Sequence, residues 1–250
     1  MEYENKIKIV KAFLSILAVL IIWQTIFKSE IIPAPLDVLK SFLLSLKEGY
    51  LIIDILTSIK RVFVGFFIGG ALGITLGTIL AISKKLSDYI IPLVELVRPI
   101  PPIAWIPISI LWFGVGNLSA FFLVALGAFF PIFSNTYDGI KNVKNIKIKT
   151  ALNFGASRKQ IISHVLLPGS LPSIFTGFRI SLGIVWMIVI TAELVGATSG
   201  LGYMTQLNRI LLQTDNVIMG MIVIGIIGYL MNKLMIILEK KIIRWSENAE

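Results

Sequence analysis

The sequence predicts an all-α, polytopic membrane protein with six transmembrane helices in a single domain spanning residues 1–250, and three observations carry that reading. Of its residues 56% are hydrophobic, 15% are charged and the mean hydropathy is +0.88, whereas a soluble domain carries about 25% charge. Apolar runs of the roughly 20 residues that a transmembrane helix needs recur along the chain. Short polar segments rich in Lys and Arg separate them. The composition also excludes chemistries. With no cysteine there is no disulfide framework or thiolate metal site, and one histidine, His164, cannot build a two-imidazole centre. No metal or other cofactor is expected. The net charge of +9 is dispersed between apolar runs instead of lining one face, so the expected surroundings are membrane lipid and not nucleic acid.

The spans follow in order. The first, about 9–27, comes after Lys6 and Lys8 as a signal peptide would. Its apolar core is long and no small-residue cleavage pattern follows, so it is expected to stay as an anchor. The second, 62–83, is uncharged and ends at Lys84 and Lys85. Pro99 to Tyr137 is also uncharged but too long for one helix, and Gly114-Val115-Gly116-Asn117 divides it. That gives a third span at 89–113 and a fourth at 118–137. The fifth is expected at 174–197 and the sixth at 216–238.

Six spans put both termini on one side. With the termini in the cytoplasm, the inner segments hold Lys6, Lys8, Lys11, Lys84, Lys85, Lys141, Lys144, Lys147, Lys149, Arg158, Lys159, Lys240, Lys241 and Arg244. The outer segments hold fewer cations: Lys28, Lys40, Lys47, Lys60, Arg61 and Arg209. The positive-inside rule therefore places both termini in the cytoplasm, and the membrane is the cytoplasmic membrane of a bacterium or archaeon. Residues 29–56 are then extracytoplasmic. Pro33 and Pro35 open this segment, and Leu36, Leu39, Leu43, Leu44 and Leu46 suggest a short helix on the outer surface.

Two spans carry local signals. Gly65, Gly69, Gly73 and Gly77 recur every four residues and strip one helix face of side chains, so that another backbone can approach. The partner helix could belong to this chain or to another subunit. In the third span, Pro99, Pro101, Pro102 and Pro107 each remove a backbone donor and no regular helix survives. Irregular backbone at membrane depth marks a cavity, a hinge or a packed contact. Glu95 and Arg98, three residues apart, could neutralise each other on one helical face, or Arg98 could gate the pathway or meet an anionic solute. Glu193, in the fifth span, is another intramembrane ionisable group; a functional role and a structural partner such as a backbone amide both fit.

The cytoplasmic loop at 138–173 is long for a connection between spans. Ile148, Ala151, Leu152 and Gly155 form one stripe of a first amphipathic helix that Gly155 breaks. Ser157 and Gln160 have capping-box spacing and open a second helix, which Pro168 and Pro172 are expected to close. A lipid-surface helix and a docking site for a cytoplasmic protein both suit this pattern. His164 is read as a residue of the second helix; a membrane-embedded hydrolase would need a histidine partner for a metal.

The stretch Lys149-Thr-Ala-Leu-Asn-Phe-Gly-Ala-Ser-Arg-Lys-Gln-Ile-Ile-Ser-His-Val-Leu-Leu-Pro168 resembles the EAA motif of permease subunits of binding-protein-dependent ABC importers. Ala151, Gly155 and Pro168 match that pattern, while Lys149 and Thr150 stand where it has Glu and Ala. Five further segments resemble the branch serving taurine, alkanesulfonates, nitrate and bicarbonate. They are Ile32–Pro35, Arg98–Pro102, Leu111–Gly116, Gly127–Pro131 and Ala192–Tyr203. The resemblance implies a type I importer permease fold, a second permease copy forming a dimer, an extracytoplasmic solute-binding protein and two ABC ATPase subunits. It places the ATPase contact at Lys149, Thr150, Ala151, Leu152, Asn153, Phe154, Gly155, Ala156, Ser157, Arg158 and Lys159. The 250 residues contain no G-x-x-x-x-G-K-[ST] phosphate loop, so ATP and Mg belong to the partners and no catalytic residue is expected here. A small anion is the expected solute, with a neutral vitamin or pyrimidine precursor as the alternative. A gradient-driven secondary transporter or channel also uses broken helices, but has no evident use for the docking loop.

Overall fold

The computed structural model describes residues 32–243, together with 11, 14, 15, 18 and 21–25. The expected first span at 9–27 lies mostly outside the described residues; 21–25 within it are helical, and Trp23 donates its ring N–H to the Pro33 carbonyl at 3.1 Å. Every element assigned among the described residues is helical.

Helix α1, Pro35–Glu48, has Pro at its first position, where the missing N–H costs nothing, and Asp37 in its first turn. It stops at Gly49, whose φ of +85° is the left-handed conformation that ends helices without a Cβ penalty. Leu36, Leu39, Leu43 and Leu44 face outward, while Val38, Ser41 and Ser45 are buried. Helix α2 begins at once and runs from Tyr50 to Ile82. It therefore includes Asp54, Lys60 and Arg61, and starts well before the uncharged run at Val62. Asp54 and Arg61 are absorbed by hydrogen bonding and pairing, as described below, while Lys60 is exposed.

Helix α3, Lys84–Val97, and the helical stretch Pro102–Phe113 form a broken span, bent by 82°. The stretch opens with a 3₁₀ turn, Pro102–Trp105, and continues as α4, Ile106–Phe113. Gly114 and Gly116, at positive φ, turn the chain into α5, Asn117–Lys141. Then come α6, Asn145–Asn153; α7, Arg158–Ile161; α8, Leu167–Gly196; α9, Leu201–Ile210; and α10, Thr214–Ile242.

The proline expectation for the loop fails at α7. Residues Arg158–Gly196 form one helical stretch of 39 residues, and neither Pro168 nor Pro172 closes it. A π-helical turn at Ile162–Leu166 comes just before Pro168. Such a turn shifts the hydrogen-bond register by one residue, so the proline enters near the start of a new α register, where its absent N–H is tolerated.

Helix α5 is the centre of the bundle, packed between α2 and α8. Leu123, Val124, Ala128 and Ile132 are fully buried in the core. The glycine row of α2 faces α5 of the same chain. A Cβ on Gly69 would stand 2.2 Å from the Ala125 carbonyl oxygen, and one on Gly65 2.6 Å from Val124. Gly73 and Gly77 meet the Phe129 and Phe133 carbonyls in the same way. On the other side of α5, Gly177 of α8 lies against Ile132 and Asn135.

Candidate coupling loop, broken span and outer clamp

The end of the bundle at the α8–α9 turn, the outer end in the expected topology, holds a closed polar network. Arg61, 2% exposed, projects from α2 toward Glu193, 1% exposed, on α8. Its Nη1 donates to Glu193 Oε1 at 2.8 Å and to the Ser199 carbonyl at 2.6 Å, and its Nε donates to Asn117 Oδ1 at 2.9 Å. Glu193 also accepts from the Ser58 hydroxyl and from the Gly202 amide, each at 2.9 Å. Ser58 in turn accepts from the Leu201 amide at 2.9 Å, and Asp54 accepts from the Gly200 amide at 2.6 Å. A Cβ on Gly200, whose φ is +109°, would lie 2.4 Å from the Glu193 carboxylate. The network thus ties α2, the start of α5, the end of α8 and the start of α9 into one body. A buried charge survives only when paired and fully hydrogen-bonded, and both partners meet that condition. Glu193 is enclosed by these groups, which is the structural one of its two sequence readings.

The broken span is different. Arg98 ends α3, and Pro99 and Pro101 lead to the 3₁₀ turn. Glu95 and Arg98 are exposed and form no ion pair among the described residues, contrary to the pairing their spacing offered. An exposed i,i+3 pair gains only about 0.3–0.5 kcal/mol, too little to dictate pairing, so that Lys40–Asp37 forms and Glu95–Arg98 does not. Arg98 is left with an unneutralised charge beside the break.

At the opposite end of the bundle, the cytoplasmic one in the expected topology, α6 stops at Gly155, φ +78°, whose amide bonds to the Leu152 carbonyl while that of Ala156 bonds to Ala151. Ser157 and Gln160 form a complete capping box. Ile148 and Ala151 pack with Ala156 and Tyr137 against a small core of Ala81, Ile140, Val143, Ile161 and Leu166. The loop is therefore braced on the inner ends of α2 and α5. Leu152, expected on the apolar stripe, is instead 53% exposed, and Phe154 is 86% exposed. Their side chains point away from the core because only one narrow face of a nine-residue helix reaches it. An open groove of ≈ 510 Å³ runs between α6 and the π turn, lined by Ile146, Thr150, His164 and Pro168 among others. His164 Nδ1 lies 2.7 Å from the Ser163 hydroxyl.

A family model described as "Binding-protein-dependent transport system inner membrane component" matches residues 73–246. The chain belongs to that family. This permease is 41% identical over 203 residues to a Methanocaldococcus jannaschii chain named as an ABC transporter permease, covering 81% of the present chain and 76% of the relative. It is 36% identical over 239 residues to a Bacillus subtilis chain named for aliphatic sulfonates transport, with coverage of 93% and 86%. With the taurine transport system permease of Escherichia coli it shares 35% identity over 245 residues, with coverage of 94% and 89%. A chain of the MetNI methionine ABC transporter, solved in inward-facing conformations, superposes with a TM-score of 0.66 at 21% identity, covering 77% of this chain and 96% of that one. The fold is that of a type I ABC importer permease.

Sequence reasoning singled out Glu193 but counted Arg61 among ordinary outer cations. The missed signal was register: Arg61 lies four residues before Gly65, on the row that continues through Gly69, Gly73 and Gly77, and so faces the bundle interior.

Proposed function

We propose that this permease forms the translocation pathway for a small sulfonate-class anion in an ATP-driven importer of the cytoplasmic membrane. A second copy of the chain completes the pathway, a solute-binding protein delivers the anion from outside, and two ABC ATPase subunits bind ATP and Mg. The observation that carries this reading is the near-complete coverage of relatives named for taurine and aliphatic sulfonates transport. The exposed Arg98, without an ion pair among the described residues and beside the prolines at 99, 101 and 102, agrees with an anionic solute, since a guanidinium attracts and orients a sulfonate. Glu95, on the same exposed end of α3, sets the local charge balance. Residues Lys149–Lys159 contact the ATPase. Closure of the ATPases moves this braced loop, and the helices running from it carry the motion to the outer clamp as rigid levers. Both termini lie in the cytoplasm.

The test is ATP-dependent uptake by the chain reconstituted with its ATPase and binding protein, using labelled taurine, an alkanesulfonate, nitrate, bicarbonate and a neutral pyrimidine precursor. Uptake of a sulfonate that stops without ATP is expected. Uptake of the neutral precursor alone overturns the anion assignment. Uptake driven by an ion gradient without any ATPase overturns the importer itself.

A further inference from the structure

The cytoplasmic loop holds a charge imbalance that the fold does not resolve. Lys144, Lys147, Lys149, Arg158 and Lys159 are exposed, and none belongs to an ion pair among the described residues, whose pairs are Lys40–Asp37, Arg61–Glu193 and Arg179–Glu239. Lys141 rests over the Tyr137 ring at 5.6 Å. Asp138 is the one acid between 138 and 173.

The placement of these cations adds a second observation. Neither α6 nor α7 has an acidic residue in its first turn. Lys147 stands in the first turn of α6, and Arg158 and Lys159 open the helical stretch that runs to Gly196. Those are the ends where the helix dipole disfavours positive charge. The chain thus concentrates cations where they repel both one another and the backbone. An anionic surface brought against the loop would relieve both repulsions.

Two kinds of surface carry such charge, a lipid headgroup layer and an acidic protein face, and the geometry separates them. The stretch Arg158–Gly196 has 39 residues, which at about 1.5 Å per residue is about 58 Å, against about 30 Å for the hydrocarbon core. A stretch of that length that crosses the core once from its Glu193 end carries Arg158 beyond the opposite headgroup layer. There Phe154, 86% exposed, and Leu152 form an apolar knob beside Lys149 and Arg158. At that distance from the bilayer, such a knob is covered by an apolar recess on a protein partner.

We infer that the ATPase surface receiving residues 144–159 is acidic around an apolar recess for Phe154, and that this charge selects the cognate ATPase. The inference rests on the proposed function and names the partner's chemistry. Lys149, where the related pattern has Glu, reverses the sign at the loop's centre, so that an ATPase complementary to a glutamate there meets a like charge.

The test uses the full chain in nanodiscs of neutral phosphatidylcholine and the ABC ATPase of the source organism that wild type retains on co-expression. Its Kd is measured at about 50 and about 300 mM KCl, a range over which exposed charges become strongly screened. Wild-type affinity is expected to fall about tenfold or more across that range. Lys149→Glu, and more so the double variant Lys147→Glu/Arg158→Glu, lose about tenfold or more at the lower salt with unchanged melting temperature. Phe154→Ala weakens binding equally at both salts. Salt-independent binding together with an unaffected Lys149→Glu variant overturns the acidic partner while leaving the ATPase assignment intact. Retention of no ATPase by wild type overturns the importer reading instead. Charge variants whose effect on melting temperature appears only in discs containing phosphatidylglycerol, with ATPase affinity unchanged in phosphatidylcholine discs, assign the cations to lipid and overturn the inference.

Discussion

The two ends of this permease treat charge in opposite ways. At the outer end, Arg61 and Glu193 are buried, and each is bonded to the other and to further polar groups. At the opposite end, Lys147, Lys149, Arg158 and Lys159 stand exposed without an ion pair among the described residues, beside an uncovered Phe154. A closed network makes neighbouring helices one rigid body, whereas an open set of charges awaits a partner. The difference teaches that the bundle spends its internal complementarity where helices must move together and leaves it unspent at the loop where we propose that the ATPase attaches.

If that contrast is correct, substitutions within the buried Arg61–Glu193 network harm stability and those of the exposed loop cations do not. The largest effect is expected for Arg61→Ala, which strands the Glu193 carboxylate in the interior and costs about 3–5 kcal/mol. Thermal unfolding in nanodiscs reads this, and Arg61→Ala/Glu193→Ala should recover part of the loss; a single variant as stable as wild type would break the comparison. Gly69→Leu comes next. Its side chain would have to displace the Ala125 backbone, and a loss on the order of 3 kcal/mol is expected from forcing α2 and α5 apart. Ser157→Ala removes one half of the capping box, costs about 1 kcal/mol, and should appear as faster amide exchange confined to 157–161. Smallest of all, Lys149→Gln should leave stability within about 0.5 kcal/mol while reducing ATPase binding.

What could be read from the sequence was mostly local. Gly155, the Ser157–Gln160 cap and the four-residue glycine spacing act within a turn or two, so the loop's break, the second helix start and the bare face of α2 were all visible in short windows. The Arg61–Glu193 pair was not, because its members are 132 residues apart in the chain and only the assembled bundle brings them together. Asp54 and Arg61 therefore read as loop charges and hid the first turns of α2. The continuity of Arg158–Gly196 was hidden for another reason: Pro168 signals a helix end, and the π turn that accommodates it leaves no mark in composition. Glu95 and Arg98 had the spacing of a pair, but exposed side chains lack the confinement that would hold them together.

The absence of cysteine allows a direct test of the central claim, that the cytoplasmic loop is the ATPase contact. Single variants Phe154→Cys and Leu212→Cys, the latter at an exposed position beyond α9, are placed in nanodiscs and labelled with a membrane-impermeant maleimide, with and without the retained ATPase. The account expects labelling at 154 to be suppressed by the ATPase while labelling at 212 is unchanged. Full labelling at 154 in the presence of bound ATPase would contradict it.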